Sequence, residues 1–303
     1  MPSGKEIKSR IKSVKNTGKI TKAMELISTV KMKKAQESVL GLRPFALATL
    51  SILAKVAGND EVLGIFSRVP ESKKELLILV ASQKWLCGGY NTNIYKKATE
   101  YVRDDQDTPY TRGYDYITIG KRARDFILRT GQSLIADFSD EVRDPLTMAE
   151  SRRIVRLILE EWKSGKYSKI SIVYNHYVSA LTQLPLVKTF FPIQKDDIFS
   201  FLERVAGGKF QKDTYTGDFT IEPDIETIIA FTIPMILDAV IHETLLEAKA
   251  SEHAARMVAM KNAKDSANKK AAWLTLVYNK SRQSAITKEV SEIVSGVESM
   301  KDV

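Results

Sequence analysis

Cysteine is almost missing from this chain. A single thiol, Cys87, among 303 residues excludes an internal disulfide and leaves no cysteine cluster for a metal. Histidine is nearly as scarce: His242 and His253 stand eleven residues apart, about three helical turns, so they cannot share an ion. No run approaches the ~20 apolar residues that a membrane-spanning helix needs. The opening residues MPSGKEIKSR hold no apolar core, so neither a secretory signal nor a transit peptide is expected, and the chain is expected to act on the cytoplasmic side. Aromatic residues are absent from positions 1–44, which weakens a nucleic-acid reading of that stretch, because bases stack on aromatic rings. Proline is absent after Pro234, which permits one helix to run through the C-terminal stretch.

Signatures of chemistry are missing too. The chain has no G-x-x-x-x-G-K-[ST] and no G-x-G-x-x-G. The turn after the first apolar run reads Leu86-Cys87-Gly88-Gly89-Tyr90-Asn91, without the lysine and hydroxyl of a phosphate cradle. No H-E-x-x-H, G-x-S-x-G or paired-carboxylate constellation occurs, and Cys87 has no histidine close in sequence to activate it. No catalytic residue, cofactor or metal site is assigned. Cys87 reads as a small buried packing residue.

What is present is helix at both ends. From Asp224 to Met300 apolar residues recur at helical spacing through Leu237, Val240, Ile241, Leu245, Ala248, Ala255, Val258 and Ala259, then Trp273, Val277, Ile286, Val290, Ile293, Val294 and Val297. At 1.5 Å per residue this run would reach roughly 115 Å, too long to fold into a compact core alone. From Ser3 to about Ala57 a second set steps by three and four: Ile7, Ile11, Val14, Ile20, Met24, Ile27, Ala35, Val39, Leu42, Ala46, Leu50 and Leu53. Ser3 with Glu6 has the spacing of a capping box, Pro44 is expected to bend the rod, and Gly58-Asn59-Asp60 to end it. The narrow seam suits a two-helix coiled coil.

Between the rods the pattern changes. Leu76–Val80 is a continuous apolar run, as in a strand buried on both faces of a parallel sheet. Strands are expected at Tyr114–Gly120, Leu134–Phe138, Lys169–Tyr177 and Leu184–Phe191, the last two as a hairpin, and helices at Thr92–Arg103, Lys121–Thr130 and from Thr147 to near Gly165. The fold class is α/β: a long antiparallel coiled coil of the terminal helices with an inserted three-layer α/β domain of Rossmann-like topology and no phosphate loop. The expected parts are 1–57, first helix; 58–75, linker; 76–192, α/β domain; 193–223, a turn-rich connector; and 224–303, second helix. The second helix outruns the first, so its apolar tip should protrude and need a different protein to cover it.

Net charge is +9, and residues 1–43 hold eleven Lys/Arg against Glu6, Glu25 and Glu37. A solvated helix face, an acidic protein partner and nucleic acid are all compatible with that placement. A basic coiled-coil scaffold or nucleic-acid-binding protein would lose affinity steeply with salt, and a nucleotide-dependent α/β enzyme would bind nucleotide alone.

The run Ala250-Ser251-Glu252-His253-Ala254-Ala255-Arg256-Met257-Val258-Ala259-Met260-Lys261-Asn262-Ala263 closely resembles the C-terminal signature of the gamma subunits of F-type ATP synthases. So do Leu276–Glu289 and Glu292-Ile293-Val294-Ser295-Gly296, and at the other end Arg10–Thr17, Lys19–Glu25 and Lys31-Met32. The Leu86–Asn91 turn also matches, although Gln83 and Trp85 stand where that family usually has an acidic residue and a glycine.

The resemblance implies a rotor shaft, one copy per complex, turning inside a hexamer of alternating alpha and beta subunits, with the α/β domain near the epsilon subunit and the ring of c subunits. It implies no catalytic residue, no cofactor and no nucleic-acid partner. Membrane association would be indirect, on the cytoplasmic face of a bacterial plasma membrane or the inner face of an organellar one. Met24, Arg256, Gln283, Thr287 and Glu292 match the family's hexamer-contacting motifs. Ile286, Val290 and Ile293 suit the apolar sleeve around the tip, Lys8, Lys12 and Lys15 would face acidic loops, and the Glu222 segment matches a ring contact. Chloroplast-type regulatory cysteines are absent, so thiol control is not expected.

Overall fold

The computed structural model describes residues 4–42, 44–49, 64–106, 113–194, 200–201, 203, 205, 222 and 224–301. The Ser3 cap, the Gly58-Asn59-Asp60 helix end and most of the 193–223 connector lie outside them. The chain forms two compact units, one of Met1–Ile27 with Met257–Val303 and one of Ser28–Arg256. Its elements are α1 (Gly4–Leu40), α2 (Gly64–Ser67), β1 (Lys74–Val80), α3 (Tyr90–Gln106), β2 (Gly113–Ile119), α4 (Lys121–Arg129), β3 (Ser133–Asp137), α5 (Met148–Lys163), β4 (Lys169–Tyr177), β5 (Gln183–Phe191) and α6 (Ile225–Lys301). The expected first rod is interrupted: α1 stops at Leu40, Gly41 and Leu42 turn, and residues 44–49 are helical again. Pro44 opens that second run, where its missing N–H costs nothing.

In the helical unit, α1 and α6 run antiparallel. A Cβ added to Gly4 would lie 3.7 Å from the Tyr278 ring, one on Gly18 3.6 Å from Ala267, and Lys264 Nζ sits 2.8 Å from Glu25 Oε2. Along α1 a covered line steps by four and three through Ile7, Ile11, Val14, Gly18, Thr21 and Glu25, and along α6 through Met260, Lys264, Ala267, Ala271, Leu274 and Tyr278, with Met24, Ala263, Thr275 and Val277 partly covered at its flanks. This corrects the expected seam, because Ile20 and Ile27 point outward at 60% and 57% exposure, and Trp273 is exposed as well. A 3.5-residue repeat begun at Ile7 admits small or polar Gly18 and Thr21 before it admits a larger residue out of phase. Thr21 is tolerated because its hydroxyl donates to the Thr17 carbonyl at 3.0 Å.

The other unit is a five-stranded sheet of order β3-β2-β1-β4-β5, parallel except for the β4–β5 hairpin. Ile78 of β1 pairs Ile117 on one side and Ile172 on the other. Alternation along β1 sends Leu77 and Leu79 toward Tyr90, Ile94 and Ala98 of α3, and Leu76, Ile78 and Val80 toward Ile154 and Ile158 of α5 and Ile241 and Leu245 of α6. The third layer is therefore partly the long helix itself. Thr147 caps α5 with Glu150 in a capping box, and Pro185 is accommodated on β5, an edge strand.

His242 is buried where α6 meets α5, with its Nδ1 2.7 Å from Ser151 Oγ. Burial pushes its pKa below the ordinary 6.5, against the opposing pull of Glu150 and Asp238. The unfolded chain therefore takes up this proton first as pH falls through 6.5, and stability should decline below that pH by up to about 1.4 kcal/mol per unit of depression. Denaturant titrations between pH 7.5 and 5 should show that slope in the parent and a shallower one in His242→Gln.

Candidate partner interface

Parallel α/β sheets bind ligands beyond the carboxyl ends of their strands, where the strand order reverses, here between β1 and β4. That crevice is closed by the chain's own side chains. Asn91 accepts from the Ser82 N–H at 3.0 Å and donates to Ser82 Oγ at 2.8 Å, folding the 82–89 turn on itself. Arg256 reaches across from α6, donating to the Lys84 carbonyl at 3.2 Å and to Glu252 Oε1 at 2.6 Å. Beside it, at the ends of β1 and β2 under α6, Val80, Gly120, Leu245 and Lys249 line a cavity of ≈ 10 Å³, room for about one water and far below the 300–1,000 Å³ of ligand pockets. Cys87 is buried within the 82–89 turn, against Ser82 and Asn91, and burial raises its thiol pKa, which suppresses the thiolate that would react. Among the described residues no group of three His, Cys, Asp or Glu side chains is placed to hold a metal, and no helix is long and apolar enough to cross a membrane.

A second polar cluster adjoins this one. Asp144, on the loop after β3, accepts from Lys31 of α1 at 3.1 Å and from His253 Nε2 at 3.0 Å through one oxygen, and meets Lys249 at 3.4 Å through the other. Burial alone would raise the Asp144 pKa, but the His253 hydrogen bond and the lysine charges outweigh it and hold the carboxyl well below the usual range. His253 Nδ1 is left to accept from Arg256 at 3.3 Å. Lys31 lies 113 residues from Asp144, so nothing local in the sequence announces this cluster.

The predicted interface residues fall into separate places. Arg256 is buried and engaged within the α/β unit. Lys8, Lys12 and Lys15 are exposed, and with Lys5, Lys19 and Lys22 they make one stripe along α1, each three or four residues from the next. Met24 is half-buried, and Glu222 is exposed. Residues 282–297 of α6 are exposed without exception. Continuing the seam past Tyr278 leads to Ser281, Ala285, Lys288 and Glu292, whereas Gln283, Ile286, Val290, Ile293 and Val297 lie rotated from its centre by roughly 130–180°. Glu292 thus stands apart from the others, 3.7 Å from Lys288. Thr287 shares the far side, its hydroxyl donating to the Gln283 carbonyl at 2.9 Å. Trp273 and Leu276 extend the same outward face, so Trp273 lies away from the seam expected for it.

A family model described as ATP synthase matches residues 3–300. The chain is 36% identical over its full length to the ATP synthase gamma chain of Roseiflexus castenholzii, of which it also covers 100%. The chain belongs to the ATP synthase gamma chain family. It is 33% identical to the Pelotomaculum thermopropionicum gamma chain over 99% of this chain and 100% of that one. Among solved structures, a chain of the Euglena gracilis mitochondrial ATP synthase (OSCP/F1/c-ring) has a TM-score of 0.64 at 18% identity, over 98% of this chain and 94% of that one. A chain of the Tetrahymena thermophila central stalk and c-ring gives 0.56 at 19% identity, over 80% and 99%. These last two show a shared fold.

Proposed function

We propose that the chain is the central rotor shaft of an F-type ATP synthase, one copy per complex, and that it carries no catalytic residue. The observation that carries this reading is the tip of α6, an uncovered apolar face set at the end of an antiparallel pair and rotated away from that pair's seam. Such a face needs a surrounding partner. The partner is an alpha and beta subunit hexamer whose three equivalent catalytic sites each meet a different side of one asymmetric rod. Turning the rod exchanges their conformations through differential contacts, which is the only way it can shift populations. The α/β unit meets the epsilon subunit and the c ring, with Glu222 in the segment facing the ring. The closed crevice at the sheet switch supports a structural role for this unit rather than a nucleotide site. Attachment to the membrane is indirect, on the cytoplasmic face of a bacterial plasma membrane or its organellar equivalent.

Purification of the tagged chain from its source at native stoichiometry tests this directly. Three alpha, three beta and one copy of this chain are expected, and calorimetry of the isolated chain with Mg-ATP is expected to show no binding heat. Recovery without the hexamer, or a micromolar nucleotide site, sinks the reading.

The lysine stripe gives a further expected result. Reversing Lys8, Lys12 and Lys15 to Glu should weaken assembly about tenfold at low salt if acidic loops face them, since each exposed pair contributes ~0.2–1 kcal/mol. The difference should fade near 1 M salt, where the Debye length is about 3 Å. Equal assembly of parent and variant at low salt would mean the stripe is only solvated.

A further inference from the structure

The α/β unit holds its segments of α1 and α6 in two chemically different ways. Along Ile233–Ala248, α6 lies on the sheet mainly through apolar side chains, with scattered polar ties at Asp238 to Arg152, at His242 to Ser151, and at Glu247 to His176 and Tyr174. From Lys249 to Arg256 the contacts become charge-assisted hydrogen bonds to two loops, and these are directional. One carboxylate, Asp144, ties both helices at once, taking Lys31 from α1 and Lys249 and His253 from α6. Lys249 is fixed a second time by the Val142 carbonyl at 3.3 Å, on the same loop. Opposite, the 82–91 segment holds α6 through the Lys84 carbonyl on Arg256 and through the Tyr90 hydroxyl, which donates to the Ala248 carbonyl at 3.0 Å. The compact unit ends at Arg256, which is also the last residue of this collar.

We propose that Asp144 is a torsional clamp: a positioning residue that fixes the rotational phase of both helices against the α/β unit and so sets how stiffly twist passes between the two. The inference rests on the rotor reading. Without the carboxylate's charge, three basic groups from the two helices lose the acceptor they share, while α6 keeps its apolar packing, its polar ties at Asp238, His242 and Glu247, and the Arg256 side of the collar. The helices are covalently continuous with the unit, so the expected loss is stiffness, not attachment.

The test uses the assembled complex, fixed through its hexamer, with a gold rod on the α/β unit attached through Leu181→Cys. Leu181 is exposed on the β4–β5 turn and Cys87 is buried, so labelling is selective within this chain, which is labelled before the complex is reconstituted. The angular variance of the rod while the motor waits for ATP is inversely proportional to torsional stiffness. Asp144→Asn should widen that variance by about half or more, because directional charge-assisted bonds are lost, and Asp144→Glu should restore much of it. Lys249→Met and Lys31→Met, which leave Asp144 its remaining partners, should each give an intermediate width and carry the test if the Asn variant fails to assemble. Val155→Ala, a core truncation in the same unit, should lower Tm without changing the variance. A parent that rotates while Asp144→Asn keeps the parental variance overturns the clamp, as does equal widening by Val155→Ala. A parent that assembles and never rotates overturns the rotor reading instead.

Discussion

A chain with Asp in place of Ile286, Val290 and Ile293 is expected to fold like its parent and to fail at assembly with alpha and beta subunits. The three side chains are 51%, 53% and 66% exposed, so they contribute little to packing within this chain and have about half of their surface still to bury. Complete burial is worth roughly 1.5–3 kcal/mol per side chain, so the remaining half for three of them is about 3 kcal/mol. That corresponds to about a hundredfold in affinity, and three carboxylates moved into an apolar sleeve would cost more. Negative charge near a helix C-terminus also frays the last turns slightly, so Ile286→Ala, Val290→Ala and Ile293→Ala in one chain serve as a companion that keeps helix propensity and removes only area. Circular dichroism of both variants should match the parent over most of its helix, while the yield of reconstituted complex drops, more for Asp than for Ala. The uncovered stripe should also make the parent self-associate when alone. An Asp variant that unfolds alone, beside a well-behaved monomeric parent, would mean that the stripe packs within this chain.

The sequence made the α/β unit legible because each of its elements carries local signals. Lys169–Tyr177 is a strand over the residues expected, and Thr147 caps α5 with Glu150 three residues on. The seam was harder to read. Counting apolar residues at helical spacing selects Ile20, Ile27 and Trp273, but the pair keeps the strict phase begun at Ile7 and Ile11, placing Gly18 and Thr21 inside and the larger residues outside. A fixed 3.5-residue register would have found this, because a coiled coil cannot shift phase for one hydrophobic side chain. The collar around Asp144 had no such signal, since its partners come from positions 31, 249 and 253, brought together only by the fold. The reason for the Leu86–Asn91 motif is visible only in the fold: Asn91 knits the turn to Ser82, and the same turn offers the Lys84 carbonyl to Arg256.

Gly120→Ala should be among the most destabilising single substitutions in the α/β unit. Gly120 ends β2 and caps α4 with φ +95 and ψ 135, a backbone conformation that L side chains rarely adopt. A Cβ there would lie 2.1 Å from the Ala81 carbonyl oxygen, and the atom in the way is backbone, which no rotamer change can move. That backbone is also committed elsewhere. The Ala81 N–H donates to the Ile119 carbonyl at 2.9 Å, and the Ser82 carbonyl accepts from the Arg122 N–H at 3.1 Å, so the ends of β1 and β2 are stitched together at this contact. Relief would mean parting them where Gln83 also caps α4, its Oε1 accepting from the Lys121 N–H at 3.1 Å. Strain at such a φ costs about 1–3 kcal/mol, and the clash adds to it, for a total of about 4 kcal/mol. A substitution of that size removes a large part of a domain's usual 5–15 kcal/mol. Chemical denaturation of Gly120→Ala should show a midpoint far below the parent, with the helical signal of the 1–27 and 257–303 unit better preserved than that of the sheet. Gly131→Ala, also at positive φ but with no atom within 4 Å of the added Cβ, separates the two causes by carrying the strain alone. Equal losses at both glycines would show that the backbone angle, and not the Ala81 contact, sets the cost at Gly120.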